Sequence, residues 1–357
     1  MSFGSLGLCD ELLKTITEQG YTAPSPIQME AIPAVLTQRD VMAVANTGTG
    51  KTASFALPLI QLLSGGHAPH SQHVRALIIT PTRELAAQVA QSVQSYSRHM
   101  NIRSAAVFGG VRIEPQIFQL QGWLDVLIAT PGRLLDLYNQ QAINFDQLEI
   151  LVLDEADRML DLGFIDDIRR IQALLPAKLQ TLMFSATFSN EIKSLAKGML
   201  NEPWLIEVAT ANKTVDAIKQ KLHPVDKQRK SEVLIHLIKK NSWGQVLVFC
   251  RTKRGADILV SQLENAGITA DSIHANRTQR ARTLALDGFK NGNIAILVAT
   301  DIASRGIDVD QLPCVVNFDL PYVPQDYVHR IGRTGRASSS GLAISFFSED
   351  ESKQLQA

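Results

Sequence analysis

The sequence predicts an α/β protein of two doubly wound parallel-sheet domains in tandem. Three observations carry that expectation. Short continuous apolar runs recur along the whole chain, and such runs mark strands buried on both faces of a parallel sheet. Helix-like stretches separate them, the order that builds βαβ units. The pattern occurs twice, and 357 residues is the length of about two domains.

In the first half the expected strands are 40–45, 76–80, 105–108, 126–130, 150–153 and 182–185, with helices over stretches such as 84–96 and 191–199. In the second half they are 246–250, 270–274, 295–300, 315–318 and 342–347. The polar segment Ala209–Asp216 separates the halves and is neither Gly/Ser-rich nor Pro-rich. The expected limits are therefore 1–207 and 217–357, joined by a linker over 208–216. Two such lobes leave a cleft between them, a favoured place for a ligand.

Composition narrows the class. At 45 % hydrophobic and 20 % charged residues, the chain is neither disordered, collagen-like nor a coiled coil. No apolar run approaches the roughly 18 residues of a membrane-spanning helix. The opening Met1-Ser2-Phe3-Gly4-Ser5-Leu6 lacks the basic and apolar regions of a signal peptide. Three scattered cysteines, Cys9, Cys250 and Cys314, suit a reducing, cytoplasmic setting. The net charge of zero hides a split: residues 1–207 hold 15 basic and 20 acidic side chains, residues 208–357 hold 20 and 15. Such asymmetry is a weak pointer to nucleic-acid or nucleotide work.

Two motifs carry chemistry. Ala45-Asn46-Thr47-Gly48-Thr49-Gly50-Lys51-Thr52 follows an expected strand and precedes an expected helix. It fits a phosphate-binding loop, with Ala45 where the first glycine would stand. Gly48 and Gly50 let backbone N–H groups turn toward phosphate oxygens, and the helix N-terminus adds its positive dipole. Lys51 can reach the β- and γ-phosphates, and the Thr52 hydroxyl can ligate Mg2+. About 100 residues on, the apolar strand Leu151-Val152-Leu153 runs into Asp154-Glu155-Ala156-Asp157. Asp154 is placed to hold Mg2+ beside the phosphates, and Glu155 to polarise the attacking water.

With these residues in place the sequence resembles the DEAD-box RNA helicases, named for the residues found at 154–157, and is similar to the bacterial RhlE branch of that family. The match runs from Phe3 to about Phe347 in the family's order. Gly20 to Gln28 looks like the Q motif, with Phe3 as its upstream aromatic. Pro81-Thr82-Arg83-Glu84-Leu85-Ala86, Gly109-Gly110 and Thr130-Pro131-Gly132-Arg133 look like the RNA motifs of the first lobe, and Ser185-Ala186-Thr187 like the coupling motif. The second lobe matches at Phe249–Thr252, at Gln279 and Arg282, from Ala299-Thr300-Asp301 to Asp308, and at His329–Arg336.

The resemblance implies two RecA-like domains, ATP and Mg2+ as cofactors, and RNA-stimulated ATP hydrolysis that drives local duplex unwinding as the cleft closes. It implies Phe3, Tyr21, Gln28, residues 47–52 and Asp308 around the nucleotide, with Thr47, Gly48, Thr49 and Gly50 cradling phosphate. Gln28 carries an amide that can pair with adenine N6 and N7, and Phe3 can stack on the base. Arginine suits planar recognition of phosphate, which draws Arg330, Arg333 and Arg336 into view. By resemblance Arg333 and Arg336 are arginine fingers and Asp308 is a ribose contact. Asp157, Ser185, Thr187, His329 and Arg330 couple the parts. RNA falls to Pro81, Thr82, Arg83, Gly110, Thr130, Arg133, Gln279, Arg282 and Thr300, through sugar–phosphate contacts that carry no sequence information. A monomer is expected, with ribosome-assembly or RNA-decay proteins as the partner classes.

Two other readings stay open: a DNA-translocating ATPase of the same superfamily, and an RNA clamp that binds ATP without hydrolysing it. Gln28 with Thr130–Arg133 opposes the first, and Glu155, Arg333 and Arg336 oppose the second. Some features are read as structural. His67, His70 and His73 belong to an exposed loop, Trp123, Trp204 and Trp243 to packing, and Lys219, Lys221, Lys227, Arg229 and Lys230 to a solvated face.

Overall fold

The computed structural model describes residues 2–45, 48–66, 68–208, 218–241, 243–301, 309, 312–334 and 341–356. The chain divides into two compact units, Met1–Ala209 and Thr210–Ala357. Each is an α/β layer structure whose strands all pair in parallel. The linker expected over 208–216 lies outside the described residues except for Val208.

The first unit carries β1 (Val41–Val44), β2 (Val74–Ile79), β3 (Ser104–Val107), β4 (Leu124–Ala129), β5 (Ile150–Leu153), β6 (Gln180–Ser185) and β7 (Trp204–Glu207). Their order across the sheet is β3-β4-β2-β5-β6-β1-β7, so β6 is inserted between β1 and β5. Side chains alternate between the two faces. Val41 and Ala43 enter one core with the helices Pro26–Leu36, Lys51–Ser64 and Arg83–Tyr96, while Met42 and Val44 enter the other with Pro131–Asn139 and Ile165–Gln172. Register aligns the carboxyl ends: Val44 stands opposite Ser185, and Leu153 opposite both Ile79 and Met183.

The second unit carries β8 (Ile218–Pro224), β9 (Val246–Phe249), β10 (Ala270–Ile273), β11 (Ile296–Ala299), β12 (Cys314–Asn317) and β13 (Gly341–Phe347), in the order β10-β11-β9-β12-β13-β8. Val246, Val248, Val298 and Phe346 fill one face of this sheet, Leu247, Phe249 and Leu297 the other.

Two strands were not foreseen. Both β7 and β8 are edge strands in which most positions face solvent; β8 is mostly polar in sequence, and β7 has only the short apolar run Trp204-Leu205-Ile206. Trp204, expected to pack, is 47 % exposed on β7, with the Arg39 guanidinium 4.9 Å from its ring. Trp123 stacks similarly under Arg103, and Trp243 packs against the second unit's core. His70 and His73 lie on the stretch between the helix Lys51–Ser64 and β2, their rings 5.7 Å apart, and His67 is outside the described residues. No described group of three His, Cys, Asp or Glu side chains is arranged to hold a metal ion.

A third correction concerns charge. Lys230, expected on a solvated face, is buried at the start of the helix Lys230–Asn241. Its ammonium donates to Glu351 Oε2 at 2.5 Å and to the Phe318 carbonyl at 2.9 Å. Glu351, only 1 % exposed, also accepts from Arg251 Nη2 at 2.5 Å, the Leu320 N–H at 3.0 Å and the Ser348 N–H at 3.2 Å. A polar stretch after the last strand is thereby clamped onto Arg251. Burial pushes the Glu351 carboxyl up, but the Lys230 hydrogen bond and charge outweigh it and leave the group below its ordinary 4.5. Removing one partner of a buried pair strands the other, so Glu351→Ala should destabilise the full chain by about 3–5 kcal/mol in urea denaturation. A carboxyl held low contributes fully above its unfolded value and loses that contribution as pH falls through its folded one. The gap between parent and variant should therefore narrow on acidification below pH 4.5. A gap that widened there would contradict the assignment.

Candidate ATPase site and nucleic-acid interface

The phosphate loop leaves β1 at Ala45, and Lys51 is the first residue of the helix Lys51–Ser64. Gly48 and Gly50 have φ of 76° and 91°, a region open to glycine at little cost. A Cβ on Gly50 would lie 2.4 Å from Gln28 Nε2, so the position also needs glycine for space. Lys51 is buried and its ammonium donates to the Ala45 carbonyl at 3.0 Å, bracing the loop across its mouth. Thr49 and Thr52 are half-buried beside it; Thr47 lies outside the described residues.

The loop is also held from outside. Ser25 and Gln28 form a capping box on the helix Pro26–Leu36. Gln28, 2 % exposed, accepts from the Ser25 N–H at 2.8 Å and donates from Nε2 to the Gly50 carbonyl at 3.2 Å. The Ser25 hydroxyl donates to the Thr49 carbonyl at 2.7 Å. The Ser-x-x-Gln spacing signals the cap, but the grip on the loop could not be read from it. Upstream, Phe3 is buried in edge-to-face contact with Tyr21 at 5.8 Å, and the Tyr21 hydroxyl shares a 2.8 Å hydrogen bond with Tyr96.

The carboxylates stand at the end of β5. Asp154 is 2 % exposed and its Oδ1 has no hydrogen-bond partner. Burial pushes its carboxyl up to about 7, and the nearby Lys51 charge draws it back down. A buried carboxylate oxygen left without a donor beside a phosphate loop fits a hard divalent cation. Mg2+ keeps water and phosphate oxygens as ligands, so one carboxylate and the Thr52 hydroxyl meet the protein's share. Glu155 is half-buried, with a φ of 55°, a strained conformation for a residue with a side chain. Asp157 Oδ2 accepts from the Ala186 N–H at 3.2 Å, Ser185 Oγ accepts from the Thr187 N–H at 3.3 Å, and the Ser185 carbonyl accepts from the Ala45 N–H at 3.0 Å. Hydrogen bonds thus run unbroken from the carboxylate turn through the end of β6 to the phosphate loop.

Farther along the same sheet edge the expected RNA motifs converge. Pro81 is buried after β2, and Thr82 caps the helix Arg83–Tyr96 by accepting from the Leu85 N–H. The Arg83 guanidinium packs on Gly110, where a Cβ would lie 2.0 Å from Nη1. Arg133 Nη2 donates to the Val111 carbonyl at 2.8 Å, and its Nη1 is buried without a hydrogen-bond partner. Thr130 is buried, its N–H bonded to the Val107 carbonyl. Sequence reasoning missed Gln116, whose amide bonds the backbone on both sides of the glycine turn.

In the second unit Gln279 opens the helix Gln279–Lys290 behind its cap Thr278, with Arg282 buried one turn on. Thr300 is buried after β11, its N–H on the Ile273 carbonyl. Arg330, which the resemblance assigns to coupling rather than to phosphate, turns its guanidinium into its own unit. It is 2 % exposed, Nε and Nη2 grip Asp301 at 2.6 and 2.7 Å, and Nη1 donates to Asn317 and the Asp319 carbonyl. It is a bracket between strand ends. His329 precedes it on the helix Pro324–Ile331, and Arg333 follows half-buried, its carbonyl accepting from the Leu312 N–H. Asp308 and Arg336 lie outside the described residues.

Among the described residues no helix is long and apolar enough to cross a membrane. Residues 25–195 match the DEAD/DEAH box helicase family model, and residues 229–338 match the helicase conserved C-terminal domain. The DEAD-box ATP-dependent RNA helicase RhpA of Helicobacter pylori is 42 % identical over 99 % of this chain and 71 % of its own length. The ATP-dependent RNA helicase RhlB of Pseudomonas syringae is 40 % identical over 99 % of this chain and 91 % of its own. Among solved structures, Saccharomyces cerevisiae Dbp5 bound to RNA and ADP BeF3 superposes with a TM-score of 0.87 at 33 % identity, covering 99 % of this chain and 91 % of that one. A DEAD box protein from Methanococcus jannaschii gives a TM-score of 0.57 at 41 % identity, over 100 % and 95 %. With relatives this similar along its whole length, and with two parallel α/β units of RecA-like type, the chain belongs to the DEAD-box ATP-dependent RNA helicase family.

Proposed function

We propose that this chain is a cytoplasmic, monomeric RNA-dependent ATPase that separates short RNA duplexes locally and without regard to sequence, using ATP and Mg2+. One observation carries the ATPase half of the reading: a buried Asp154 oxygen without a donor, beside Lys51, on a turn hydrogen-bonded through Ser185 to the phosphate loop. The likeness to Dbp5 bound to RNA and ADP BeF3 supports the RNA half.

Residues 1–207 bind the nucleotide. Lys51 exchanges the Ala45 carbonyl for the β- and γ-phosphates, and Gly48, Thr49 and Gly50 offer backbone N–H groups. Mg2+, held through Thr52 and Asp154, supplies charge neutralisation at the phosphate oxygens. Glu155 accepts the proton of the attacking water. Gln28 holds Gly50 and keeps one lone pair and one N–H for adenine, flanked by Phe3 and Tyr21. RNA lies on Pro81, Thr82, Arg83, Gly110, Thr130 and Arg133, and in residues 217–357 on Gln279, Arg282 and Thr300. Closure of the two units brings Arg333 and Arg336 to the γ-phosphate and Asp308 to the ribose, and closed units hold one bent strand. Asp157, Ser185, Thr187, His329 and Arg330 tie the nucleotide state to the RNA-binding loops.

Three outcomes test this. Glu155→Gln keeps the side chain's shape and removes its charge; ATP binding should persist while turnover falls about 10²–10⁴-fold in a phosphate-release assay. A variant retaining more than about a tenth of parental turnover removes Glu155 from the base role. Gln28→Ala should lower the preference for ATP over GTP by on the order of 1–3 kcal/mol in competition binding; an unchanged preference would leave Gln28 as a helix cap. Finally, a non-hydrolysable ATP analogue should tighten RNA binding, and RNA should tighten the analogue, by the same factor of roughly 5–150. Arg333→Ala should shrink both factors together. Fluorescence anisotropy of labelled single-stranded RNA reads the effect, and indifference to the analogue in the parent chain would refute closure.

A further inference from the structure

After β3 the chain turns through Gly109, Gly110 and Val111 before the helix Glu114–Leu120. Gly110 adopts a φ of 73°, and the turn is the point at which Arg83 and Arg133 meet. Gln116 spans it. Its Oε1 accepts from the Phe108 N–H at 3.0 Å, while Nε2 donates to the Phe108 carbonyl at 3.3 Å and to the Arg112 carbonyl at 3.2 Å. The side chain is buried, so these bonds are shielded from water. Only a primary amide offers an acceptor and two donors in one planar group of this reach.

We infer that Gln116 is a positioning residue for RNA: it staples the glycine turn into the shape in which its backbone N–H groups and the two arginines face the sugar–phosphate chain. A turn with two glycines has many accessible conformations. Were it ordered only on contact with RNA, that ordering would be subtracted from affinity. Gln116 places the cost in folding instead. This rests on the reading of this face as an RNA site.

The test uses the full chain with two variants. Gln116→Met preserves length and volume and removes all three hydrogen bonds. Gln116→Glu keeps the acceptor for Phe108 and sets a carboxylate against two carbonyls. Both should raise the RNA concentration for half-maximal ATPase stimulation, and the RNA Kd by anisotropy, about tenfold, as a net loss to binding of about 1.4 kcal/mol out of the two or three bonds removed implies. kcat at saturating RNA should change less than about twofold, because the staple acts on binding. A folded Gln116→Met chain with parental half-saturation would overturn the inference alone. So would loss of the cooperative thermal transition in both variants, which would make the staple a structural prop. A parent chain that fails to bind single-stranded RNA would overturn the proposed function and this inference with it.

Discussion

Parallel pairing is the constraint on which everything else in this molecule depends. Each added strand needs a crossover, and the crossover helices bury both faces of the sheet. In return every strand ends at the same edge. Register places Val44, Ser185, Leu153 and Ile79 in adjacent rows, so the four loops that follow them leave together. The phosphate loop, the carboxylate turn, the Ser185-Ala186-Thr187 turn and the Pro81-Thr82-Arg83 turn are neighbours for that reason alone. Insertion of β6 between β1 and β5 then determines the wiring. Asp157 and Ala45 both reach the end of β6, and hydrogen bonds through Ala186 and Ser185 connect turns some 100 residues apart in sequence.

Buried charge is used in two opposite ways. Arg330, Lys230 and Glu351 are saturated: each of Arg330's three nitrogens and each oxygen of Glu351 has a partner. Such groups specify one arrangement of strand ends and leave no capacity for a ligand. Asp154 and Arg133 are buried with atoms left over. Polar atoms shut away from water without a partner cost stability, and here both stand just past strand ends at the carboxyl edge, Asp154 after β5 and Arg133 in the first turn of the helix after β4. The distinction explains why Arg330, although one turn from Arg333, cannot serve phosphate: its guanidinium is already fully committed.

Much of this was readable in the sequence because the residues involved announce themselves locally. Apolar runs bounded by turns gave the buried strands, and glycines at 48 and 50 before Lys51 gave the phosphate loop. What was not readable depends on tertiary partners. β8 carries polar residues because an edge strand has an open side, and β7 offers only the short apolar run Trp204-Leu205-Ile206, so continuous apolar runs do not mark either one. Lys230 sits in a basic run that looks solvated, and the partners that receive its buried ammonium, the Phe318 carbonyl and Glu351, lie 88 and 121 residues away. Gln116 has no motif value of its own; its meaning comes from a turn eight residues earlier that it closes. Gln28 falls between these cases, since its spacing from Ser25 predicts a cap and the fold adds the contact with Gly50.

Glu155 shows how framework and site divide the energetic work. A residue with a side chain at φ 55° costs on the order of 1–3 kcal/mol and persists only where its surroundings leave no alternative. On one side the Asp154 N–H is bonded to the Ile79 carbonyl, which continues the β2–β5 ladder past its last pair. On the other, the Arg158 and Met159 N–H groups both donate to the Glu155 carbonyl, starting the helix Ala156–Asp161. The residue is thus pinned between a strand that cannot slip, being buried on both faces, and a helix that begins on its own carbonyl. The strain falls on the residue that joins strand to helix at the carboxyl edge, and the buried apolar sheet beneath it, with no residue of β2 or β5 at positive φ, sustains that strain without sharing it.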